Sequence, residues 1–172
     1  TYGHVMKVYE KFFERFPDVK SLAGADVSEI ESMIRRLGFQ RQRARQLKEI
    51  AQAIVNEFNN VVPSRKDELL KLSGVGDYVA SAVLCFAFNK DEAIVDMNVR
   101  RVVNRVFGWK AMRDREIADR LAEIIPSGKA KQFNWALIDF SSLICSRKPK
   151  CKKCFLKEIC FYYRTSREHF VT

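Results

Sequence analysis

Leu72-Ser73-Gly74-Val75-Gly76-Asp77-Tyr78-Val79-Ala80 sets two glycines around one apolar residue, between two segments that read as helical. Glycine tolerates positive φ and leaves neighbouring backbone amides uncovered. When such a turn opens directly into a helix, its amides and the positive helix end can hold a phosphate oxygen without any charged side chain. The stretch therefore predicts a helix-hairpin-helix element, with Gly74, Val75 and Gly76 as candidate nucleic-acid contacts. The plainer reading of two glycines is a simple interhelical turn.

Outward from the hairpin, the apolar residues keep a helical period. Arg41 to Asn59 places Leu47, Ile50, Ala51, Ile54, Val55 and Phe58 at three- and four-residue intervals on one face. Val99, Val102, Val103, Val106 and Phe107 repeat the pattern, with Arg100, Arg101 and Arg105 opposite them. Further helices are predicted over His4 to Phe16, ended by Pro17, over Asp26 to Leu37, stopped at Gly38, and over Glu116 to Ile125 and Lys131 to Ile144. Short loops are expected at Val61 to Ser64, Asn89 to Asp91 and Pro126 to Gly128. No run alternates as a strand would, so the expected fold class is all-α.

The chain has 172 residues and 47% hydrophobic content, enough for one sizeable core or two smaller ones. Its formal net charge of +10 favours a polyanionic partner, because each neutralised phosphate releases condensed counterions. Nucleic acid is the first candidate. A membrane surface fits less well, since the basic residues do not line one amphipathic segment and no apolar run reaches spanning length. With no signal peptide at its start, the chain is expected to be intracellular and reduced.

Cys145, Cys151, Cys154 and Cys160 follow a C-x5-C-x2-C-x5-C spacing. Thiolates at such intervals can converge on one inorganic centre, either a [4Fe-4S] cube or a tetrahedral zinc ion. Two disulfides are the alternative, and a reduced setting disfavours them. Arg147, Lys148, Lys150, Lys152 and Lys153 make the surrounding loop basic, suited to DNA phosphates or simply to solubility. Cys85 lies in the apolar run Ala82 to Phe88 and reads as a small core residue.

Asp96 follows the apolar triplet Ala93-Ile94-Val95 and begins the arginine-studded helix. An acid there serves as an N-cap, accepting from first-turn amides and gaining from the helix dipole. A catalytic carboxylate can use the same position, because the same donors stabilise negative charge beside a DNA backbone.

Taken together, the hairpin, the Val95-Asp96-x-Asn98-x-x-Arg101 segment and the four-cysteine loop, in that order, resemble the helix-hairpin-helix DNA glycosylases of the endonuclease III superfamily. Within it they are most similar to the thymine mismatch glycosylase branch. Gly3-His4-Val5, Gln42-Arg43-Ala44-x-Gln46-Leu47 and Cys160-x-Tyr162-Tyr163 extend the resemblance along nearly the whole chain. It implies a helical barrel domain with the hairpin over residues 1–90 and a helical domain with an iron-sulfur loop over 91–172. It implies catalysis by Asp96, which would support departure of the base and the positive charge that develops on the sugar. Tyr78 falls where bifunctional relatives carry a Schiff-base lysine, and a tyrosine cannot form that imine, so water is the expected nucleophile. The base must leave the stack to be reached, and Phe39 and Gln40 are implied as the residues that fill the gap. The expected partner is double-stranded DNA with a mismatched or damaged base, met by a monomer.

Three departures accompany the resemblance. Only five residues separate Cys145 from Cys151, one fewer than relatives commonly carry, which leaves zinc open. Ser73 stands at the usual hairpin proline. The first residues correspond to a point partway through an early helix of a typical relative, which implies either a fragment or an apolar surface that a partner covers. Two other functions stay open at this level. Adenine excision also suits Tyr78, although such enzymes usually continue into a further domain beyond the point where this sequence stops at Thr172. A non-catalytic DNA-binding fragment is the other.

Overall fold

Helices form where the apolar period and local stop signals agree. The structure is a computed structural model that describes residues 2–168, with side chains from 5 to 166. Among these residues every regular element is helical, as expected from the sequence. The chain divides into two compact units, Thr1–Gly76 and Asp77–Thr172, so the division falls at the end of the glycine turn. Gly3 and His4, part of the extended resemblance, lie outside the described side chains.

The first unit starts with α1 (Tyr2–Arg15), which stops just short of Pro17 because the ring disfavours helical backbone in the preceding residue. A second helix, α2 (Val19–Gly24), follows where the apolar period predicts none. It is too short to show a period, but Asp18 caps it by accepting from the Ser21 amide at 2.8 Å. α3 (Val27–Ile34) runs into a 3-10 turn, Arg35–Leu37, and Gly38 then turns the chain at φ +75°. α4 (Gln40–Glu57) is the longest element, matching the expected 41–59 helix with its C-terminal end two residues earlier. Ile30, Ile34 and Ala44 close the core of this unit against Val8 and Phe16. The short α5 (Lys66–Leu69) leads to the turn.

The second unit opens with α6 (Asp77–Phe86) and continues through an extended stretch into α7 (Met97–Val106). α7 shows the predicted division, with Val99, Val102, Val103 and Val106 buried, whereas Phe107 just beyond it is 43% exposed. Each buried valine contributes on the order of 1.5 kcal/mol through apolar burial. α8 (Asp114–Ala122) begins two residues ahead of its expected start and ends three short, while α9 (Ala130–Leu143) matches within one residue. The cysteine segment carries a 3-10 turn, Cys151–Lys153, and then α10 (Phe161–Glu168), which its polar composition does not suggest.

Candidate active site

Asp96 is half-buried and caps α7 from extended backbone. Its Oδ1 accepts from the main-chain amides of Asn98 at 2.8 Å and Val99 at 2.7 Å. Its Oδ2 accepts from the Asn98 side-chain amide at 3.0 Å. Asn98 is itself oriented, because Arg101 donates to its Oδ1 at 2.9 Å. The same guanidinium donates to the main-chain oxygens of Cys145 at 3.1 Å and Ser141 at 3.0 Å. Two side chains thus link the Asp96 carboxyl to the first cysteine of the loop. The approach to Asp96 is also fixed. Buried Asn134 of α9 accepts from the Ile94 amide at 3.0 Å and donates to the Glu92 carbonyl at 2.8 Å.

One turn further along α7, Arg105 donates to the carbonyls of Cys145, Ser146 and Arg147 and lies over the Tyr162 ring. The i, i+4 arginines therefore fasten the start of the cysteine loop to α7. All four expected cysteines line one small hollow, beside Arg105 and Tyr162. Burial raises the Cys151 thiol, and neighbouring Cys160, Cys145 and Cys154 raise it further. Among the described residues no histidine or carboxylate lines this hollow, and the sulfurs there suit a thiolate-held centre. Among the described residues no three His, Cys, Asp or Glu side chains stand in an arrangement that clasps a single metal ion. Arg147, Lys148, Lys150, Lys152 and Lys153 are exposed around it. Cys85 is fully buried, and Asn134 lies 3.5 Å from its sulfur.

In the turn, the backbone of Gly74 favours glycine, while the close approach of Gln46 is one its flexible side chain can relieve. Its φ is +71°, and an added Cβ would stand 2.6 Å from the Gln46 side-chain nitrogen. Gly76 has open space on the corresponding side, so a ligand can approach its backbone. The Val75 amide donates to the Leu72 carbonyl at 3.1 Å, and the Ser73 hydroxyl donates to Glu49 at 2.7 Å. Gln46 and Glu49 of α4 thus brace the turn, a support visible in sequence only as a polar pair on a charged face. Tyr78, in the first turn of α6, is 51% exposed.

Phe39 is 78% exposed and holds left-handed backbone, φ 50° and ψ 30°, at the start of α4. Arg43 lies over its ring and donates to the Leu37 carbonyl at 2.8 Å, which ties the loop down. A protruding aromatic in sparsely populated backbone is a feature that function selects more readily than packing does. Gln40, beside it, is half-buried. Phe39, Gln40 and the glycine turn belong to the first unit, and Tyr78, Asp96 and the cysteine loop to the second.

A glycine turn opening a helix, a half-buried capped acid and a four-thiol hollow in a chain whose described elements are all helical define a class of DNA-handling protein. The family model described as HhH-GPD superfamily base excision DNA repair protein matches residues 2–127. The thymine/uracil-DNA glycosylase of Methanothermobacter thermautotrophicus is 42% identical over 95% of this chain and 76% of its own. A solved thermostable thymine-DNA glycosylase superposes with a TM-score of 0.91 at 40% identity, covering 96% of this chain and 78% of the other. A trapped endonuclease III–DNA covalent intermediate gives 0.87 at 28% identity, covering 97% and 79%. The chain belongs to the HhH-GPD superfamily of base excision DNA repair proteins. It is accordingly an enzyme of the DNA glycosylase kind, as the sequence motifs imply. No helix among the described residues is long and apolar enough to cross a membrane.

Proposed function

We propose that this protein hydrolyses the N-glycosidic bond of thymine or uracil mispaired with guanine in intracellular double-stranded DNA, leaving the abasic strand uncut. The observation that carries this reading is the Asp96 carboxyl, half-exposed and held by three hydrogen bonds, in a chain similar to thymine/uracil glycosylases. Breaking the C1′–N bond leaves electrons on the departing base and positive charge on the sugar. A fixed carboxylate stabilises that charge, which is present mainly in the transition state. Water then adds at C1′, and its proton passes to the released base, so the atoms balance without a further reactant. Tyr78 cannot form an imine with the sugar, which makes water the nucleophile.

Residues 1–90 would supply the hairpin and the wedge, and 91–172 the acid and the cysteine centre. Gly74, Val75 and Gly76 form the turn that meets a phosphate of the strand being processed, the Val75 amide holding the turn itself through Leu72. Phe39 and Gln40 enter the gap left by the extruded nucleotide. The exposed Arg147, Lys148 and Lys150 meet further phosphates. Cys145, Cys151, Cys154 and Cys160 suit a [4Fe-4S] centre, since four sulfurs around one hollow match a centre of several metal atoms; zinc is the alternative. Such a centre would brace the loop and supply no electron to the reaction.

The deciding experiment incubates the protein with duplexes carrying one G·T, G·U or A·G pair, then cleaves abasic sites with alkali. Product from G·T or G·U that disappears in Asp96→Asn supports the reading. Product from A·G alone would make it an adenine glycosylase, and shifted mobility without product would make it a binding module.

A further inference from the structure

The arginines around Phe39 hold more than the wedge reading uses. Arg35, Arg36, Arg41, Arg43 and Arg45 fall within eleven residues, and all five are exposed. Arg43 is occupied with Leu37 and Phe39. Arg35 and Arg41, by contrast, line one open surface hollow together with Ser28, Ser32, Gln40 and Glu31. Two guanidiniums, the Ser28 hydroxyl and the Gln40 amide facing one space offer donors to an oxyanion, while the Ser32 hydroxyl already donates to the Glu29 carbonyl at 2.8 Å. Glu31 is the single acid, and it sits 3.5 Å from Arg41, whose side chain is still 83% exposed and free to turn outward.

α4 relates this hollow to the hairpin. Its first turn carries Gln40 and Arg41, while Gln46 and Glu49 brace Gly74 and Ser73. At 1.5 Å per residue these positions lie about 8–14 Å apart along the helix axis. Two backbones can be bracketed across a minor groove, about 6 Å wide between their surfaces, by contacts at that spacing. We propose that the Arg35–Arg41 hollow binds a backbone phosphate of the strand that keeps its base, opposite the strand taken by the Gly74–Gly76 turn. This inference rests on the DNA-substrate and wedge readings above. It adds a second grip, on the intact strand, directly beside the residue that fills the gap.

The test measures binding of the whole protein to a duplex with a tetrahydrofuran abasic analogue opposite guanine, across a salt series. Arg35→Gln with Arg41→Gln should lower the slope of log K against log salt by about 0.9 for each phosphate that the variant leaves unneutralised. Methylphosphonate linkages beside the guanine should weaken binding by the wild type and leave the double variant unchanged. The same linkages on the abasic strand should weaken both equally. Arg35→Lys with Arg41→Lys, which keeps the charge, should recover most of the slope. An unchanged slope and affinity in the folded double variant, or coupling to abasic-strand linkages alone, overturns the proposal. A wild type that releases no base from G·T or G·U, yet shows the reduced slope on substitution, overturns the substrate reading and keeps the phosphate site.

Discussion

Asn98 reaches both oxygens of the Asp96 carboxyl, its main-chain amide donating to Oδ1 at 2.8 Å and its side-chain amide to Oδ2 at 3.0 Å. The first bond is ordinary helix capping. The second is not required for a cap, and it fixes the rotation of the carboxyl about its own axis. Arg101 holds the Asn98 amide in that orientation while also holding the Cys145 carbonyl. The acid therefore inherits its orientation from the loop that carries the cysteines, 49 residues further along the sequence.

Capping and catalysis at Asp96 separate in the Asp96→Asn variant. Asparagine caps a helix about as well as aspartate, so the melting midpoint should barely move. Excision in single-turnover assays should fall by about 100-fold or more, the scale on which removing transition-state charge stabilisation is felt. Asp96→Ala should lose excision equally and cost roughly 1 kcal/mol of stability besides. Excision retained in both variants would remove Asp96 from the chemistry.

For Asn98→Ala the expected loss is intermediate. The carboxyl keeps its two main-chain donors and loses one hydrogen bond to a charged group, a change worth about 1.5–3 kcal/mol and hence roughly 10- to 100-fold in rate. The single-turnover rate should drop while affinity for an abasic-analogue duplex stays near the wild-type value. A rate equal to the wild type would reduce Asn98 to a cap partner.

Tyr78→Lys places an amine at an exposed first-turn position of α6, where burial does not oppose it. A lysine there can attack C1′ and form an imine, after which elimination cuts the strand. Borohydride should trap a covalent protein–DNA adduct with this variant and none with the wild type. No adduct under any condition would mean that position 78 does not face the sugar.

Much of the fold is written in spacing. The α4 and α7 helices follow from apolar residues at three- and four-residue intervals, and Pro17 and Gly38 mark ends that the structure keeps near. α2 escapes such a reading because six residues hold fewer than two turns, and its one signal is the Asp18 cap. α10 escapes because most of its residues are polar or charged, so its apolar positions stand out less than the cysteines before it. The position of Asp96 is legible, with Asn98 and Arg101 in the same segment, but the bonds among them are not. Asn98 is an expected helix residue, and nothing in a single chain announces that Arg101 will turn back to Cys145. Long-range hydrogen bonds of this kind leave no period and no local composition.

Asp18 gives the chain an acid-sensitive element. Hydrogen bonding from the Ser21 amide, then from its hydroxyl, holds the Asp18 carboxyl below its ordinary value. A depressed carboxyl stabilises the fold above its unfolded pKa, and the contribution disappears as pH falls through the folded value. Asp18→Ala should therefore lower the melting midpoint near neutral pH, with the difference from wild type shrinking below the ordinary carboxylate range. The side chain is exposed, so the effect should be small. A difference that is constant from neutral pH to strongly acidic pH would show that the cap acts without its charge.

The five cysteines should divide four to one. Cys85 is fully buried and burial raises its thiol, so it should resist iodoacetamide until the protein is unfolded. The other four share one hollow, and a [4Fe-4S] centre there would colour the purified protein yellow-brown. Cys145→Ser should abolish the colour and the associated iron, and it should also disturb Asp96, because Arg101 grips the backbone at that residue. Cys85→Ala should keep both colour and iron. Chelation should make the native protein more susceptible to proteolysis in the middle of the 145–160 loop, since α7 holds only its beginning, through Arg101 and Arg105, and its end, at Cys160. A colourless protein carrying one zinc per chain would replace the cluster with a single ion. A colourless, metal-free protein that excises thymine at full rate would show that the α7 arginines alone suffice to hold the loop.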